Sequence, residues 1–254
     1  MVHLDVLLPA DLPLPGQRIT LAANVLSHLN LKQFSSFFLY DSLAKADREK
    51  LPAPCLEKAD ALQEMEAGAK SLNLEIRQLE PSRNPQLLHH QSLFADILFM
   101  SFLTADDHLP GYLISSKFLD RVGCPVLFSF GNSGIPREVF LYFDFEPSCL
   151  VAFKSFASIF GERLQEAKVT IATTSPPDEN AIYMEKCLIQ YAQRKFKDVG
   201  IIPAGSLQIE ENLISWTSQV HNPWLIVGKM GLPFIDHHRI ALTKNPFSVY
   251  SCNQ

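Results

Sequence analysis

Two acidic residues and one pair of glycines stand at spacings that could do chemistry. Asp11 closes the apolar run VLLPAD (6–11), Asp144 closes VFLYFD (139–144), and a helical pattern follows each. Gly228-Lys229-Met230-Gly231 comes directly after an apolar run that ends at Val227. In a parallel sheet such positions meet beyond the carboxyl ends of the strands, where strand order reverses and ligands bind. A carboxylate there accepts from an amino group or a hydroxyl. Backbone N–H groups at glycines or at a helix start hold phosphate, because glycine lets the main chain approach closely. Plainer roles are open at the same places. The carboxylates could bond helix N-terminal amides, worth on the order of 1 kcal/mol, and the glycines could serve a tight turn.

Other groups offer less. His89-His90 and His237-His238 are adjacent pairs whose side chains diverge on a helix or strand, so no shared metal is expected. Asp106-Asp107-His108 reads as a solvated acidic loop, with repulsion of phosphate in the first half as the alternative. There is no P-loop, G-x-S-x-G elbow or HExxH, and no spacing of Ser, His and Asp marks a triad. No catalytic residue and no metal ligand is therefore assigned. Trp216 and Trp224 read as core. The five cysteines (Cys55, Cys124, Cys149, Cys187 and Cys252) are scattered without a CxxC pair, which predicts reduced, mostly buried thiols.

Composition narrows the class. The chain has 254 residues, 47% hydrophobic and 19% charged, enough to bury a sizeable core. A net charge of −5 without a Lys/Arg run gives no reason to expect nucleic acid. No run approaches roughly twenty apolar residues, so no membrane span is expected. The N-terminal segment, interrupted by Asp5 and Asp11, does not read as a secretory signal, and a cytoplasmic location is expected.

The elements that must position these residues alternate. Strands are predicted at 6–8, 34–40, 97–103 and 126–130, with a marginal one at 75–79. Helices are predicted at 17–29 and at 56–72, where Leu62, Met65, Ala69 and Leu72 share a stripe, and before Val122. The order then recurs. Strands are predicted at 139–143, 169–173, 200–203, 225–227 and 247–250, and helices at 148–164, 180–196 and 207–220. Tyr183, Cys187, Ile189 and Tyr191 are taken as apolar positions of the second of these helices. Unbroken apolar runs are typical of parallel strands covered on both faces, and the alternation implies a mainly parallel sheet. VLLPAD matches VFLYFD, FADILFM (94–100) matches NPWLIVG (222–228), and GCPVLFSF (123–130) matches KNPFSVYS (244–251). Three landmarks in one order point to duplication, with the junction at 131–136.

With these landmarks the chain resembles a tandem universal stress protein. VLLPAD and VFLYFDFEPS look like that family's V-P-x-D first strand, Gly228-x-x-Gly231 like the start of its nucleotide signature, and Gly123-Cys124-Pro125-Val126-Leu127 like its C-P-V last strand. The resemblance implies an α/β fold with two doubly wound, mainly parallel five-stranded sheets in tandem, similar to the adenine-nucleotide alpha hydrolases. Residues 1–133 would form one domain and 136–254 the other. It also implies nucleotide-binding positions at Asp144, Val227, Gly228 and Gly231, with Asp11 in the first half, and ATP or AMP as the cofactor. The sequence also departs from that family pattern. Ser101 and Thr104 fall where the first half needs glycines, with Leu113 or Ile114 near the third. Ala241-Leu242 replaces the second half's Gly-Ser/Thr, and its loop to Pro246 is short. Neither half carries the complete motif.

The function expected on this basis is a non-enzymatic, stress-responsive sensor or scaffold. One alternative is an ATP/AMP-binding switch using the second half, and another is a small-molecule enzyme on the same scaffold. The last strands, 125–130 and 246–251, would be sheet edges able to pair within the chain as a pseudo-dimer. A homodimer of the whole chain is the other arrangement left open.

Overall fold

Apolar runs of strand length and amphipathic helices alternate through the computed structural model, which describes residues 4–12, 14–29, 31, 33–39, 57–79, 86–102, 116–130, 134–173, 178–203, 209–233, 235, 237 and 247–252. In chain order the elements begin with β1 (Val6–Pro9), α1 (Pro15–Val25), β2 (Gln33–Phe37), α2 (Lys58–Ser71) and β3 (Glu75–Gln78). They continue with α3 (Gln86–Ser92), β4 (Ile97–Phe102), α4 (Ser116–Leu119) and β5 (Val126–Phe130). The remainder are β6 (Glu138–Phe143), α5 (Pro147–Phe160), β7 (Lys168–Thr173), α6 (Glu179–Lys195), β8 (Asp198–Pro203), α7 (Ile209–Gln219), β9 (Trp224–Val227) and β10 (Phe247–Ser251). A one-turn 3-10 helix, Lys229–Gly231, follows β9.

The ten described strands lie in one sheet, in the order β3-β2-β1-β4-β5-β10-β9-β6-β7-β8. β1 runs parallel to β2 (Val6↔Phe34) and to β4 (Val6↔Ile97). β6 runs parallel to β7 (Val139↔Val169) and to β9 (Val139↔Trp224). Strand order therefore reverses between β1 and β4, and again between β6 and β9, which creates the two crevices where the candidate residues should meet.

The expected pair of five-stranded sheets is fused into one. β5 and β10 pair antiparallel, from Val126↔Ser251 to Phe130↔Phe247. Both strands are buried along their whole length, so either would be a sticky open edge without the other. On one face of this seam the rings of Phe130 and Phe247 stack with centroids 4.5 Å apart. On the other, the Tyr250 hydroxyl meets Ser155 Oγ at 2.8 Å and its ring stands edge-on to Phe156.

The sheet divides the core into two layers. One holds residues of α1, α2, α5 and α6, such as Ile19, Met65, Phe153 and Leu188. The other holds Leu88, Phe118 and Leu213 from α3, α4 and α7. Within the first layer the helix seams differ. A Cβ added to Gly68 would lie 3.0 Å from the Gly16 carbonyl oxygen, so paired glycines let α1 and α2 touch backbone to backbone. α5 and α6 contain no glycine, and a groove of ≈ 520 Å³ lies along their seam.

Two sequence readings need correction. The pattern reading leaves 80–96 unassigned, yet α3 stands there, with His89 and His90 exposed on it. Tyr183 is 69% exposed and Cys187 is exposed as well, because the buried stripe of α6 is Ala181, Leu188 and Ala192. The helical period is right and its phase is shifted. Cys124, Cys149 and Cys252 are buried and unbridged, while Cys55 and Asp106-Asp107-His108 lie outside the described residues. No described helix is long and apolar enough to cross a membrane.

Candidate functional site

In the second half, β6 delivers Asp144 and β9 delivers Val227 and Gly228 to the same end of the sheet. The chain turns sharply after Asp144, with Phe145 in the left-handed region at φ 64°. Asp144 Oδ1 accepts a hydrogen bond from the Glu146 N–H at 3.0 Å, which steadies this turn one residue before α5. Asp144 Oδ2 is buried and, among the described residues, accepts no hydrogen bond. Burial raises the Asp144 pKa above the ordinary carboxylate value, and the Glu146 amide only partly offsets this. The carboxyl thus has one oxygen in use and one that calls for a donor.

The glycine segment beside it is taken up by packing. A Cβ on Gly228 would lie 2.6 Å from Ser148 Oγ and 2.7 Å from the Cys149 backbone nitrogen, so glycine is what lets the first turn of α5 sit on the end of β9. A Cβ on Gly231 would lie 2.9 Å from Val227 Cβ and 3.1 Å from Tyr142 Cδ1. Two of the segment's amides have partners. Lys229 N–H donates to Ser148 Oγ at 3.0 Å and Gly231 N–H donates to the Gly228 carbonyl at 3.1 Å. Lys229 Nζ reaches across to Asp120 Oδ1, 2.6 Å away, just beyond α4 of the first half. Cys149 donates its thiol to the Tyr142 carbonyl at 2.9 Å, and burial followed by the Asp144 charge pushes its pKa up, so it is a packed thiol and not an activated nucleophile.

The first half fills the equivalent crevice differently. Asp11, 7% exposed, accepts from the Leu39 N–H at 2.8 Å and so ties the chain after β1 to the chain after β2. That bond joins two strand ends; α1 itself begins at Leu14, in the left-handed region, and Pro15, and Leu14 gives it no side-chain cap. Arg18 of α1 is 3% exposed and donates to Ser101 Oγ at 3.3 Å. A guanidinium thus stands beside the residue that occupies the signature's first glycine position. Thr104, Leu113, Ile114, Ala241 and Leu242 lie outside the described residues.

Sequence reasoning brought together Asp144, Val227, Gly228 and Gly231; it had Ser148 only as part of the VFLYFDFEPS match, without its bond to Lys229, and missed Arg18. Arg18 had a signal, since it precedes Ala22 and Val25 at helical spacing and so lies on the buried stripe of α1. Ser148 had only its place after Pro147 at the helix start. Two cavities bounded by described residues lie away from both crevices. One, ≈ 870 Å³, opens at the amino ends of β1 to β3, near Asp5, Gln33 and Glu75. The other is the α5–α6 groove. Among the described residues, no cluster of three His, Cys, Asp or Glu side chains is grouped to hold a metal.

No family model matches the sequence, and no curated protein matches it. Solved structures do match. A universal stress protein from Archaeoglobus fulgidus aligns over 98% of both chains with a TM-score of 0.61 and 13% identity. A protein assigned to the universal stress proteins in Pseudomonas aeruginosa aligns over 97% of this chain and 92% of its own, with a TM-score of 0.51 and 14% identity. The cytoplasmic domain of a prokaryotic cation chloride cotransporter aligns over 99% and 96%, with a TM-score of 0.53 and 11% identity. At such identities the likeness is one of architecture, and the chain has the fold of the universal stress proteins.

Proposed function

We propose that this chain is a universal-stress-protein-type sensor or scaffold, working in the cytoplasm without catalysis and without a tight grip on a nucleoside triphosphate. One observation carries the reading. In the second half, the half that keeps Gly-x-x-Gly, Ser148 takes the Lys229 amide and the first turn of α5 packs onto Gly228. The Lys229 amide, which would help cradle phosphate, serves the protein's own helix. The repeated strand order is what duplication of a single unit would leave, and β5 with β10 would form the pseudo-dimer seam. Those two strands are covered within one chain, so a homodimer would use another surface. A fold neighbour that is itself a cytoplasmic domain of a transporter fits a partner-sensing role better than a metabolic one. The test is the nucleotide content of purified protein, released by denaturation and resolved by anion exchange, followed by calorimetry with ATP. Empty protein and no heat are expected. Stoichiometric ATP or AMP overturns the reading.

A second reading, an ATP/AMP switch, is favoured by Asp144 Oδ2, buried and without a donor among the described residues. An adenine amino group or a ribose hydroxyl would satisfy it. Asp144→Ala should then abolish binding while the fold persists. Gly231→Val is the poorer probe, because the new side chain would meet Val227 and Tyr142. An enzyme on this scaffold would need a convergent acid–base pair; Asp144, raised by burial, supplies one carboxyl of such a pair.

A further inference from the structure

We propose that the groove between α5 and α6 docks an acidic amphipathic helix of a partner protein, independently of what the sheet crevices hold. The groove follows from the phase of α6. Ala181, Leu188 and Ala192 take the core, which turns Tyr183, Cys187, Tyr191 and Arg194 toward α5, where Leu150 and Lys154 complete the lining. From Tyr183 to Arg194 the helix rises about 16 Å, three turns, which matches a partner helix presenting anchors at i, i+3/i+4 and i+7. The floor is aromatic and aliphatic, and Tyr183 is 69% exposed, a large ring left in water. Burial of such rings in a groove is what anchors helical partners.

Charge selects the occupant. The molecule as a whole carries −5, yet the two charged groups lining the groove, Lys154 and Arg194, are both cations. Both are exposed and, among the described residues, neither makes an ion pair. An apolar helix flanked by Glu or Asp would bury its anchors against Tyr183, Tyr191 and Leu150 and bring carboxylates to both cations. The corresponding seam in the first half has no such room, since Gly16 and Gly68 bring α1 and α2 into backbone contact.

The probe is a fluorescein-labelled 18-residue helical peptide with Leu and Phe at i, i+4 and i+7 and Glu on the flanks, titrated into the full-length protein by anisotropy. Saturable binding is expected, weakened at least tenfold by Lys154→Glu with Arg194→Glu, while a Lys-flanked peptide gains affinity for that variant. Both changes are on the surface, and unchanged circular-dichroism melting verifies the fold. Cys187 lies in the groove, so its alkylation, mapped by peptide mass, should slow several-fold when the acidic peptide is bound. Absence of binding, binding indifferent to the charge reversal, or unprotected Cys187 overturns the proposal. So does co-sedimentation with phosphatidylserine vesicles that the charge reversal abolishes, which would make the face a membrane contact. A dimer in light scattering that Tyr183→Asp breaks would likewise overturn it and assign the groove to a second copy of the chain.

Discussion

α1 and α5 start alike and lean on different neighbours. Each leads its half of the chain from the central strand of a 3-2-1-4-5 order, and each opens with proline, Pro15-Gly16 in one and Pro147-Ser148 in the other. Gly16 has no side chain, and its backbone meets Gly68, so α1 leans on α2. Ser148 has a hydroxyl, which takes the Lys229 amide, and Gly228 gives way to it, so α5 leans on β9. Leaning outward leaves the end of β4 to Arg18 and Ser101. Leaning inward fills the β9 end and leaves the α5–α6 groove. Glycine placement, more than strand order, thus decides where each half keeps open space.

The largest effect should come from Gly228. Gly228→Ala puts a methyl 2.7 Å from the Cys149 nitrogen and 2.9 Å from its Cα, backbone that cannot swing aside. A loss of about 3 kcal/mol is expected in urea unfolding, the upper end of overpacking costs. Gly68→Ala meets Gly16 only at 3.0 Å and gains helix propensity of about 1 kcal/mol, so its net loss should stay near 1 kcal/mol. If the two variants lose equally, the contrast between the seams is wrong.

Ser148→Ala removes one hydrogen bond and should lower stability by about 1 kcal/mol. It should also speed amide exchange at Lys229, while Thr20→Ala, an exposed hydroxyl on α1, leaves the exchange of its own helix nearly unchanged. The sign of the pH effect at Asp144 follows from burial. Its folded pKa is raised, so its stabilising contribution is complete below the unfolded carboxyl's pKa and is lost as pH rises through the folded one. Unfolding midpoints should fall across that window, and Asp144→Asn should flatten the fall. The smallest effect belongs to Lys229 and Asp120, an ion pair with both partners about half exposed. Lys229→Ala should change stability by no more than about 0.5 kcal/mol and less still in high salt.

Strands were legible because their apolar runs have no solvent face. VLFSF and FSVYS could be read as buried edges, and they are the two that pair. α3 was not legible, since QLLHHQS offers two adjacent leucines and no repeating stripe. In α6 the apolar set was visible, but Tyr183 and Cys187 fit the helical period as well as Leu188 does, and only packing against the sheet fixes the phase. At the site, Asp144 and Gly228 could be found from their positions at strand ends. What they do there could not. The Asp11–Leu39 bond and the Ser148–Lys229 bond span 28 and 81 residues, and nothing local announces either contact.

The β5–β10 seam also sets a schedule for the nascent chain. Roughly 120 residues separate the two strands, and at about 5–20 residues per second the ribosome needs on the order of 6–24 s to supply the second after the first. Through that interval VLFSF has β4 on one side and nothing on the other, with side chains that are all buried in the finished molecule. A hydrophobic strand edge held open for seconds is a target for chaperones or for the same strand on a neighbouring nascent chain. β10, made so much later, is therefore the strand that makes the first half safe.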